Sequence, residues 1–260
     1  MPTSPRSEPA TLFLLAHPDD EFGCFESIRR IVGTGRRVAI VYLTDGGSDP
    51  AMVSRRMTES RQVLARLGVC ADDLHFIGAL ARFPDGGLHR HLKAAWLACQ
   101  SFCDAHGPFD AIYVPAWEGG HPDHDATHAL AVLLARKQGI PDVFQFSLYN
   151  ANAVPKPFFR VLSPLAENGE RIRLPIPWRA RFHYLRLCLS YPSQWKTWVG
   201  LLPFVAPKLL IGGNYCLQRT NMARLEQRPH GGALLYESRG WLTWPAFESE
   251  LRHFLDSVSV

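Results

Sequence analysis

In the first 150 residues, short apolar runs alternate with longer segments whose apolar residues recur at helical spacing. The predicted strands are residues 11–15, 37–43, 75–77, 111–114 and 143–148, and the predicted helices are residues 21–32, 54–67, 88–106 and 123–137. Strands that alternate with helices of this length are typical of a parallel sheet with helices on both faces. The sequence therefore predicts an α/β fold built on a mostly parallel sheet.

Residues 151–260 follow a looser pattern that is interrupted by many prolines. We expect this part to form a cap and substrate-binding region over the edge of a core at residues 10–150, within one domain that covers residues 1–260. The segment at 195–213 is strongly apolar, but Pro203, Pro207, Lys196 and Lys208 interrupt it. Its unbroken apolar pieces are far shorter than the roughly 20 residues of a spanning helix, so it predicts a buried helix or an apolar lid.

The composition argues against several classes of protein. The net charge of +4 is modest and arginine is spread along the chain, so we expect no nucleic-acid partner. A GxGxxG motif does not follow the first strand, so a dinucleotide site has no support. The six cysteines form no CxxC pair, which favours reduced thiols in a cytoplasmic protein. Residues 1–9 lack the apolar core of a signal peptide.

Two clusters of histidine and aspartate come directly after predicted strands. His-Pro-Asp-Asp occupies 17–20, after the strand at 11–15, and His-Pro-Asp-His occupies 121–124, after the strand at 111–114. Because the carboxyl ends of parallel strands meet at one edge of a sheet, we expect the two clusters to meet in space. His17, Asp20 and His124 would then provide three metal ligands and leave a fourth position open, as in catalytic zinc sites. Two imidazoles and one carboxylate also suit Fe²⁺.

The remaining polar residues of the clusters suit acid and base chemistry. Asp19 adjoins a proposed ligand and is the candidate general base for a water activated by the metal. His121 lies three residues before His124 and could stabilise an oxyanion or protonate a leaving amine. We expect Asp123 to hold the ring of His121 in its orientation.

A purely structural reading of each cluster is also open. Asp19 or Asp20 could act as the N-cap of a helix, and the second cluster could begin a helix in the same way. Either motif alone would fit that reading, whereas two such motifs at two strand ends favour a metal site. His128 lies four residues after His124, but a supporting or helix-surface role is preferred to a ligand role.

The motifs together resemble the PIG-L/LmbE-like family of zinc-dependent N-acetylglucosaminyl deacetylases. The resemblance covers residues 10–150 closely. The matching motifs are AHPDDE at 16–21, LTDGG at 43–47, RxxE at 56–59, FPDGGL at 83–88 and GGHPDHDATH at 119–128, with a YxSQ-like element at 191–194.

This resemblance implies a Rossmann-like fold and hydrolysis of an N-acetyl group on a sugar. It implies metal binding by His17, Asp20 and His124, with Asp19 as base and His121 as its electrostatic or acid partner. It also implies that Arg56 and Asp85 hold sugar hydroxyls. Gly119 departs from the pattern, because the mycothiol-type enzymes carry a tyrosine at that position, and this disfavours substrates of mycothiol synthesis.

We therefore predict a zinc-dependent hydrolase that removes an N-acetyl or N-acyl group from an amino sugar or a glucosaminyl conjugate. The apolar segment at 195–210, with Trp195 and Trp198, suggests a substrate with an apolar aglycone, although these residues could instead only pack the cap. A metal-dependent amidase for a non-sugar N-acyl substrate and an inactive metal- or sugar-binding module are the alternatives. Asp19 argues against the inactive module, because binding alone needs no base.

Overall fold

The fold is described from a computed structural model, which describes residues 8–47 and 49–258. Most of the segment to which the expectation about a signal peptide applies, residues 1–7, lies outside the described residues. Within the described residues, nine strands, nine α-helices and several short 3₁₀ turns follow one another along the chain.

The centre of the molecule is a seven-stranded sheet that matches the predicted fold class. Its first five strands in chain order run parallel: β1 (Ala10–Leu15), β2 (Val38–Tyr42), β3 (Leu74–His75), β4 (Phe109–Pro115) and β5 (Asp142–Phe146). A two-stranded sheet is formed by β6 (Tyr149–Asn150) and β7 (Arg160–Val161). Two more strands, β8 (Ile172–Pro175) and β9 (Asn214–Arg219), extend the central sheet in antiparallel fashion.

The strand order places the two motifs next to each other. The order is β3-β2-β1-β4-β5-β9-β8, so the chain reverses its direction of winding between β1 and β4. Ligand sites of open α/β sheets lie outside the carboxyl ends of the strands at such a switch point. The His-Pro-Asp-Asp and His-Pro-Asp-His motifs follow β1 and β4, and both therefore lie at this point.

Helices cover both faces of the sheet. One face packs against a group that contains α4 (Leu92–His106), α5 (Pro122–Gln138) and α9 (Trp244–Ser257). The other packs against α1 (Phe25–Gly33), α2 (Pro50–Arg66), α6 (Trp178–Cys188) and α7 (Trp195–Pro207). Two short helices, α3 (Ile77–Ala81) and α8 (Leu235–Ser238), complete the set.

Several predicted boundaries shift for local reasons. The predicted strand at 75–77 is wrong at its end, because Ile77 already begins α3. An added Cβ on Gly78 would lie 2.3 Å from the backbone of Leu43, so the chain turns close against the preceding loop here. The helix predicted at 54–67 begins earlier, at Pro50, because the Asp49 carboxylate accepts hydrogen bonds from the first free N–H groups.

The C-terminal part contributes to more than a cap. Strands β8 and β9 belong to the central sheet, and α9 packs beside α4 in the core on the opposite face. The division of the domain at residue 150 stays a prediction. The apolar segment at 195–213 forms α7 and a π-helical turn at Lys208–Gly212, so it is helical as predicted, but it is buried on one side only. Within residues 8–47 and 49–258, the helices lack the combination of length and apolar character that crossing a membrane requires.

Candidate metal centre and active-site cavity

The turn after β1 fixes the first two predicted ligands. The Asp20 carboxylate oxygen Oδ2 accepts the backbone N–H groups of Ala16 at 3.0 Å and His17 at 2.8 Å. These bonds close the turn at the strand end and direct the other oxygen, Oδ1, toward the second motif. Asp20 then begins a 3₁₀ turn that leads into α1.

Helix α5 fixes the third predicted ligand. His121 is its N-cap residue, and the ring Nδ1 of His121 accepts the backbone N–H of Asp123 at 3.2 Å. Residues 122–135 of α5 are buried on every side. His124 lies in the first turn of this buried helix, and the side chain of His124 is also buried.

The three predicted ligands converge. His124 Nε2 lies 3.0 Å from Asp20 Oδ1 and 3.3 Å from His17 Nδ1, and all three ligand atoms lie within 4.8 Å of one another. Two imidazole nitrogens and one carboxylate oxygen that face a common point are a donor set for a divalent metal. The residues present therefore fit a metal ion. Burial opposes the charge on Asp20, but His124 and His17 outweigh it and hold the pKa of the carboxyl well below its usual range.

The other ring nitrogen of His17 contacts a second pair of carboxylates. His17 Nε2 lies 3.1 Å from Asp123 Oδ2 and 3.2 Å from Asp85 Oδ1. A metal-binding histidine commonly donates its other N–H to a carboxylate, which fixes the tautomer. Burial lowers the pKa of His17, but Asp85 and Asp20 raise it well above the usual value overall.

The Asp123 carboxylate makes its hydrogen bonds with other groups, and its Oδ2 lies 3.9 Å from His121 Nδ1. The Asp123 carboxylate orients His17 and accepts the N–H groups of Gly86 at 2.6 Å and Leu88 at 2.9 Å. His121 is held instead by the backbone N–H of Asp123. The sequence did not reveal these hydrogen-bond partners of Asp123, because they depend on the approach of the loop at 84–88.

The predicted base, Asp19, occupies an unusual backbone conformation. Its φ of 118° lies in the region that favours glycine, which is costly for a residue with a Cβ. Its backbone N–H donates to Glu21 Oε2 at 3.0 Å, and its Oδ1 accepts from Arg56 Nη2 at 3.1 Å. Burial raises the pKa of Asp19, Arg56 opposes the rise, and the result is about 7.

Arg56 joins the loops around the base. Its guanidinium donates to the carbonyl oxygens of Pro18, at 2.8 Å, and of Gly46. It also pairs with Asp19 at 3.1 Å and with Asp85 at 3.2 Å. Arg56 is buried and its side chain is largely occupied by these partners, whereas the Asp85 side chain is 37% exposed. The predicted sugar contacts of both residues remain predictions, and Asp85 has the more accessible polar group.

His121 is a hydrogen-bond donor in this arrangement. Burial lowers its pKa to about 3, and the neighbouring His17 and His124 add to the effect. Because Nδ1 accepts from the backbone, the proton of the neutral ring lies on Nε2. The geometry therefore favours the electrostatic role predicted for His121 over the role of a proton donor.

A cavity of about 400 Å³ opens above the two motifs. Its floor contains His17, Asp19 and Asp20, with Arg56, Asp85 and His121 beside them. The sequence did not identify the wall residues Tyr149, Arg239 and Trp241, which carry no motif. Gln194 belongs to the YxSQ-like element and also lines the cavity.

Two buried carboxylates hold the YxSQ-like element in place. The Tyr191 hydroxyl donates to Glu21 Oε1 at 2.9 Å, and the Ser193 N–H donates to Glu59 Oε1 at 2.9 Å. The Ser193 hydroxyl also donates to Glu59. These bonds explain how a residue of the C-terminal part, Gln194, reaches the cavity.

The tyrosine of the mycothiol-type pattern has no room in this chain. Gly119 has a φ of 68°, and a Cβ added to it would lie 2.6 Å from Leu234 Cδ2. Tyr149 lines the cavity from another direction, with its ring 5.4 Å from that of His124. Tyr149 is the residue with an aromatic hydroxyl among those that line this cavity.

An apolar groove continues the cavity along α7. A second cavity of about 300 Å³ shares Tyr149, Thr197, Leu201 and Arg239 with the first and adds Phe159, Lys196 and Gly200. A third, of about 530 Å³, continues past Phe159 to Phe204 and Ile211. Trp195 and Trp198 are not among the lining residues of these three cavities, which favours the reading in which they pack the cap. Trp198 is buried against Phe22 and Tyr191, and Trp195 is exposed.

His128 does not join the centre. It is fully buried, its Nδ1 lies 3.0 Å from the carbonyl oxygen of Pro115, and its ring packs near Trp117. Among the described residues, two groups could hold a metal ion, and His128 belongs to neither of them: one is His17, Asp20 and His124, and the other is His17, Asp85, His121 and Asp123. The expectation of a helix-surface position is therefore wrong, and the preference for a role other than ligand agrees with this geometry.

Comparison with known proteins provides independent evidence on the family. Residues 12–135 match the PIG-L family, described as GlcNAc-PI de-N-acetylase. A 1D-myo-inositol 2-acetamido-2-deoxy-alpha-D-glucopyranoside deacetylase from Streptomyces avermitilis is 29% identical over 199 residues. That match covers 64% of this chain and 66% of the relative, which is slightly less than two thirds of the relative's length.

Solved structures share the fold at low identity. The A40926 pseudoaglycone deacetylase Dbv21 aligns with a TM-score of 0.60 at 20% identity, over 81% of this chain and 96% of its own. A triple mutant of the deacetylase Orf2 of the teicoplanin biosynthetic pathway aligns with a TM-score of 0.61 at 17% identity, over 82% of this chain and 99% of its own.

Proposed function

We propose that the chain, whose residues 12–135 match the PIG-L family, is a zinc-dependent hydrolase that removes an N-acetyl or N-acyl group from an amino sugar or a glucosaminyl conjugate. The products would be a carboxylate, acetate in the simplest case, and a free amine on the sugar. The names of the relative and of the two aligned structures, all deacetylases, support this proposal.

One observation carries the proposal. Three ligand atoms from His17, Asp20 and His124 converge on one point. His17 and Asp20 line the cavity, together with a carboxylate outside the ligand set, that of Asp19. A divalent ion held there would supply Lewis acidity, polarising the amide carbonyl and lowering the pKa of water. Zinc suits this donor set best, and Fe²⁺ is the alternative.

The protein's own residues would then act on the water and the amide. Asp19 takes a proton from the attacking water and passes it to the amide nitrogen as the C–N bond breaks. Arg56 holds Asp19 in place through the 3.1 Å contact with its Oδ1. His121 donates its Nε2–H to the oxygen that gains negative charge when the carbonyl is attacked. Asp123 keeps His17 in the orientation that directs Nδ1 toward the other ligands.

The groove along α7 supports a substrate with an apolar part. It begins at the cavity wall formed by Thr197 and Leu201 and runs past Phe159 and Gly200. An apolar aglycone or a long acyl group would bury surface there that a simple N-acetylamino sugar does not. Asp85, the most accessible carboxylate of the floor, is the candidate contact for a sugar hydroxyl.

Release of acetate tests the proposal. Purified protein is stripped with a chelator, reconstituted separately with Zn²⁺ or Fe²⁺, and assayed on N-acetylglucosamine and on alkyl and aryl N-acetylglucosaminides. We expect release that disappears on chelation and returns with metal. Release that persists without metal would contradict metal dependence. Tight metal binding with no release from any amide would favour the inactive module.

We also propose a reducing, cytoplasmic location. All six cysteines are free thiols, including Cys99 and Cys103, which lie one turn apart on α4. Mass spectrometry of the protein from its native cell, with free thiols alkylated before lysis, would test this, since six alkylated cysteines are expected.

A further inference from the structure

Exposed apolar side chains are concentrated in one part of the molecule. Among the described residues, twelve large hydrophobic side chains are exposed, and seven of them lie between residues 178 and 211. They are Trp178, Phe182, Leu189, Trp195, Val199, Phe204 and Ile211. Scattered exposed apolar residues need no explanation, but a concentration of this kind marks an interaction surface.

On α6, the exposed apolar residues form a stripe. Trp178 and Phe182 are one turn apart, with ring centroids separated by 5.5 Å, and Leu189 follows on the same side just after the helix end. Arg186 lies within the stripe and is also exposed. The opposite side of α6 buries Tyr184, Leu187 and Cys188 in the core.

Helix α7 is apolar on its outer face as well as on its inner face. Trp198, Leu201 and Val205 are buried, yet Trp195 is 59% exposed and Val199, one turn later, is 67% exposed. A helix on a protein surface normally carries polar residues on its outer side. Only Lys196 and Thr197 interrupt the apolar character of the first two turns.

The two helices are joined at one end. The Arg181 guanidinium donates to the Leu210 carbonyl oxygen at 2.9 Å and lies 4.8 Å from the centre of the Trp178 ring. Ile211, which is 83% exposed, directly follows Leu210, and the hydrogen bond from Arg181 to Leu210 therefore places Ile211 near the start of α6. We call the seven exposed residues, together with Arg179, Arg186, Lys196 and Lys208, the α6–α7 surface.

The charge of this segment has one sign. Residues 171–225 contain nine arginines and lysines and not one aspartate or glutamate. The ion pairs found among residues 8–47 and 49–258 do not include Arg179, Arg186, Lys196 or Lys208. The basic residues of the α6–α7 surface are therefore available to an anionic partner.

We propose that the α6–α7 surface docks on an anionic lipid bilayer. Exposed tryptophan, phenylalanine and aliphatic side chains with interspersed cations suit the boundary between headgroups and acyl chains. Each nearby cation adds attraction to anionic lipids. Residues 171–225 contain no acidic residue, so this surface complements a partner that is negatively charged throughout. An anionic bilayer meets that condition, whereas an ordinary protein surface presents both signs of charge.

Docking in this way would bring the groove to the membrane. Thr197 and Leu201 of α7 line the active-site cavity, and Phe204 and Ile211 of the α6–α7 surface line the outer end of the groove. If the proposed function holds, the substrate is then an amino sugar attached to a lipid anchor. The docking itself does not depend on that function, and it is tested without an activity measurement.

The test is flotation of the full-length protein with vesicles of phosphatidylcholine, alone or mixed with phosphatidylglycerol. We expect binding to the mixed vesicles that weakens as NaCl rises from about 50 mM to about 500 mM. The double variant Leu189→Asp with Val199→Asp should lower binding by about tenfold or more. The double variant Lys196→Glu with Lys208→Glu should lower it by about tenfold. Leu97→Asp is the matched control, because Leu97 is also exposed but lies on α4, on the opposite face of the sheet.

Three outcomes would overturn the proposal. Wild-type protein could fail to float with the mixed vesicles, or Leu97→Asp could reduce binding as much as the α6–α7 variants. The wild type could instead form a dimer in analytical ultracentrifugation that the Leu189→Asp, Val199→Asp variant dissociates, with no vesicle binding. That result would assign the surface to a second copy of the chain. Circular dichroism melting of each variant confirms that a loss of binding is not a loss of fold.

Discussion

Asp19 combines a positive φ with the position of the candidate base, and this determines which substitution tests it. Asparagine tolerates the left-handed region better than other non-glycine residues and keeps the shape of the side chain. It cannot accept a proton from water. We therefore expect Asp19→Asn to retain bound metal and to lower kcat by about 10²–10⁴, the usual range for a positioned base.

Steady-state kinetics together with metal analysis of the same preparation check this prediction. Asp19→Ala is a poorer test, because it changes the backbone preference and the charge at once. Near-normal turnover by a metal-loaded Asp19→Asn protein would transfer the base role to another group near the cavity.

Asp20 has a different role in the same turn. One of its oxygens holds the N–H groups of Ala16 and His17, and the other faces His124. Asparagine can keep the first set of bonds with its carbonyl oxygen while it removes the anionic ligand. We expect Asp20→Asn to fold and to lose stoichiometric metal, measured by mass spectrometry of the metal content. His124→Ala should have the same effect, and a full complement of metal in both variants would refute the ligand set.

At the scale of residues, the sequence alone predicted the candidate metal ligands, but it did not predict the groups that contact them. His17, Asp20 and His124 follow strand ends that sheet topology brings together, so their convergence could be anticipated from the chain. The partner of Asp123 depends on a loop more than thirty residues away, and Tyr149, Arg239 and Trp241 reach the cavity by tertiary packing alone. No local pattern in the sequence encodes such contacts.

At the scale of elements, α7 provides a direct test of the groove. A Cβ added to Gly200 would meet no other atom within 4 Å, and Gly200 lines the groove next to Leu201. Gly200→Leu should fill this space. Burial of ~100 Å² of apolar substrate surface contributes roughly 2.5 kcal/mol, or nearly two orders of magnitude in kcat/KM.

We expect Gly200→Leu to lower the ratio of kcat/KM for an octyl glycoside to that for N-acetylglucosamine by about tenfold. Gly200→Ala is the matched control, since it gains the same helix propensity but does not reach across the groove. An unchanged ratio in the leucine variant would place the apolar part of the substrate elsewhere.

A buried carboxylate ties α1 to α6. Glu26 accepts hydrogen bonds from Arg29 and Arg30 on its own helix and from the Tyr184 hydroxyl on α6. Burial raises the pKa of Glu26, but the bonds from Arg29, Tyr184 and Arg30 outweigh burial and lower it. A group with a lowered folded-state pKa stabilises the fold above its unfolded pKa, about 4.3 for Glu, and loses this contribution as pH falls through the folded pKa.

Glu26→Gln should therefore lower the free energy of unfolding by about 1.5–3 kcal/mol at pH 7, the range for hydrogen bonds to charged groups. The difference from wild type should shrink below about pH 4. Urea unfolding of both proteins at pH 7 and below about pH 4 measures this difference in the free energy of unfolding. Glu248→Gln is the control, because its pair with Arg252 is a surface pair and its loss should cost less than about 1 kcal/mol. An equal difference at both pH values would show that the charge of Glu26 contributes nothing.

The strands differ in how far the local sequence pattern predicts them. β1 and β2 are almost continuous apolar runs, as expected for strands covered on both faces, whereas β4 contains Asp110 and β5 contains Asp142 and Gln145. The positions of all four strands agree with the prediction. β8 is mostly exposed at the sheet edge, so it lacks that signature. Its membership of the sheet is decided by pairing with β9, which follows it in the chain only after α6 and α7.

At the scale of the whole molecule, the candidate metal centre consists of residues from two parts of the chain that are far apart in sequence. His17 and Asp20 follow β1, and His124 lies 107 residues after His17 on α5. A metal bound by all three stabilises only the folded chain, because the unfolded chain does not bring the ligands together. At a free metal concentration of about 1,000 times Kd, the contribution is about 4 kcal/mol.

We expect removal of the metal to lower Tm by roughly 8–16 °C, since 1 kcal/mol corresponds to about 2–4 °C for a chain of this size. Differential scanning calorimetry before and after chelation measures the change, and restored Zn²⁺ should restore Tm. Asp20→Asn should melt near the temperature of the stripped wild type and should not respond to the chelator, which separates metal loss from an effect of the chelator itself. Protein that contains one metal ion per chain could instead melt at the same temperature before and after stripping. That result would contradict the proposed ligand set, because an ion bound by residues after β1 and on α5 would stabilise the folded chain.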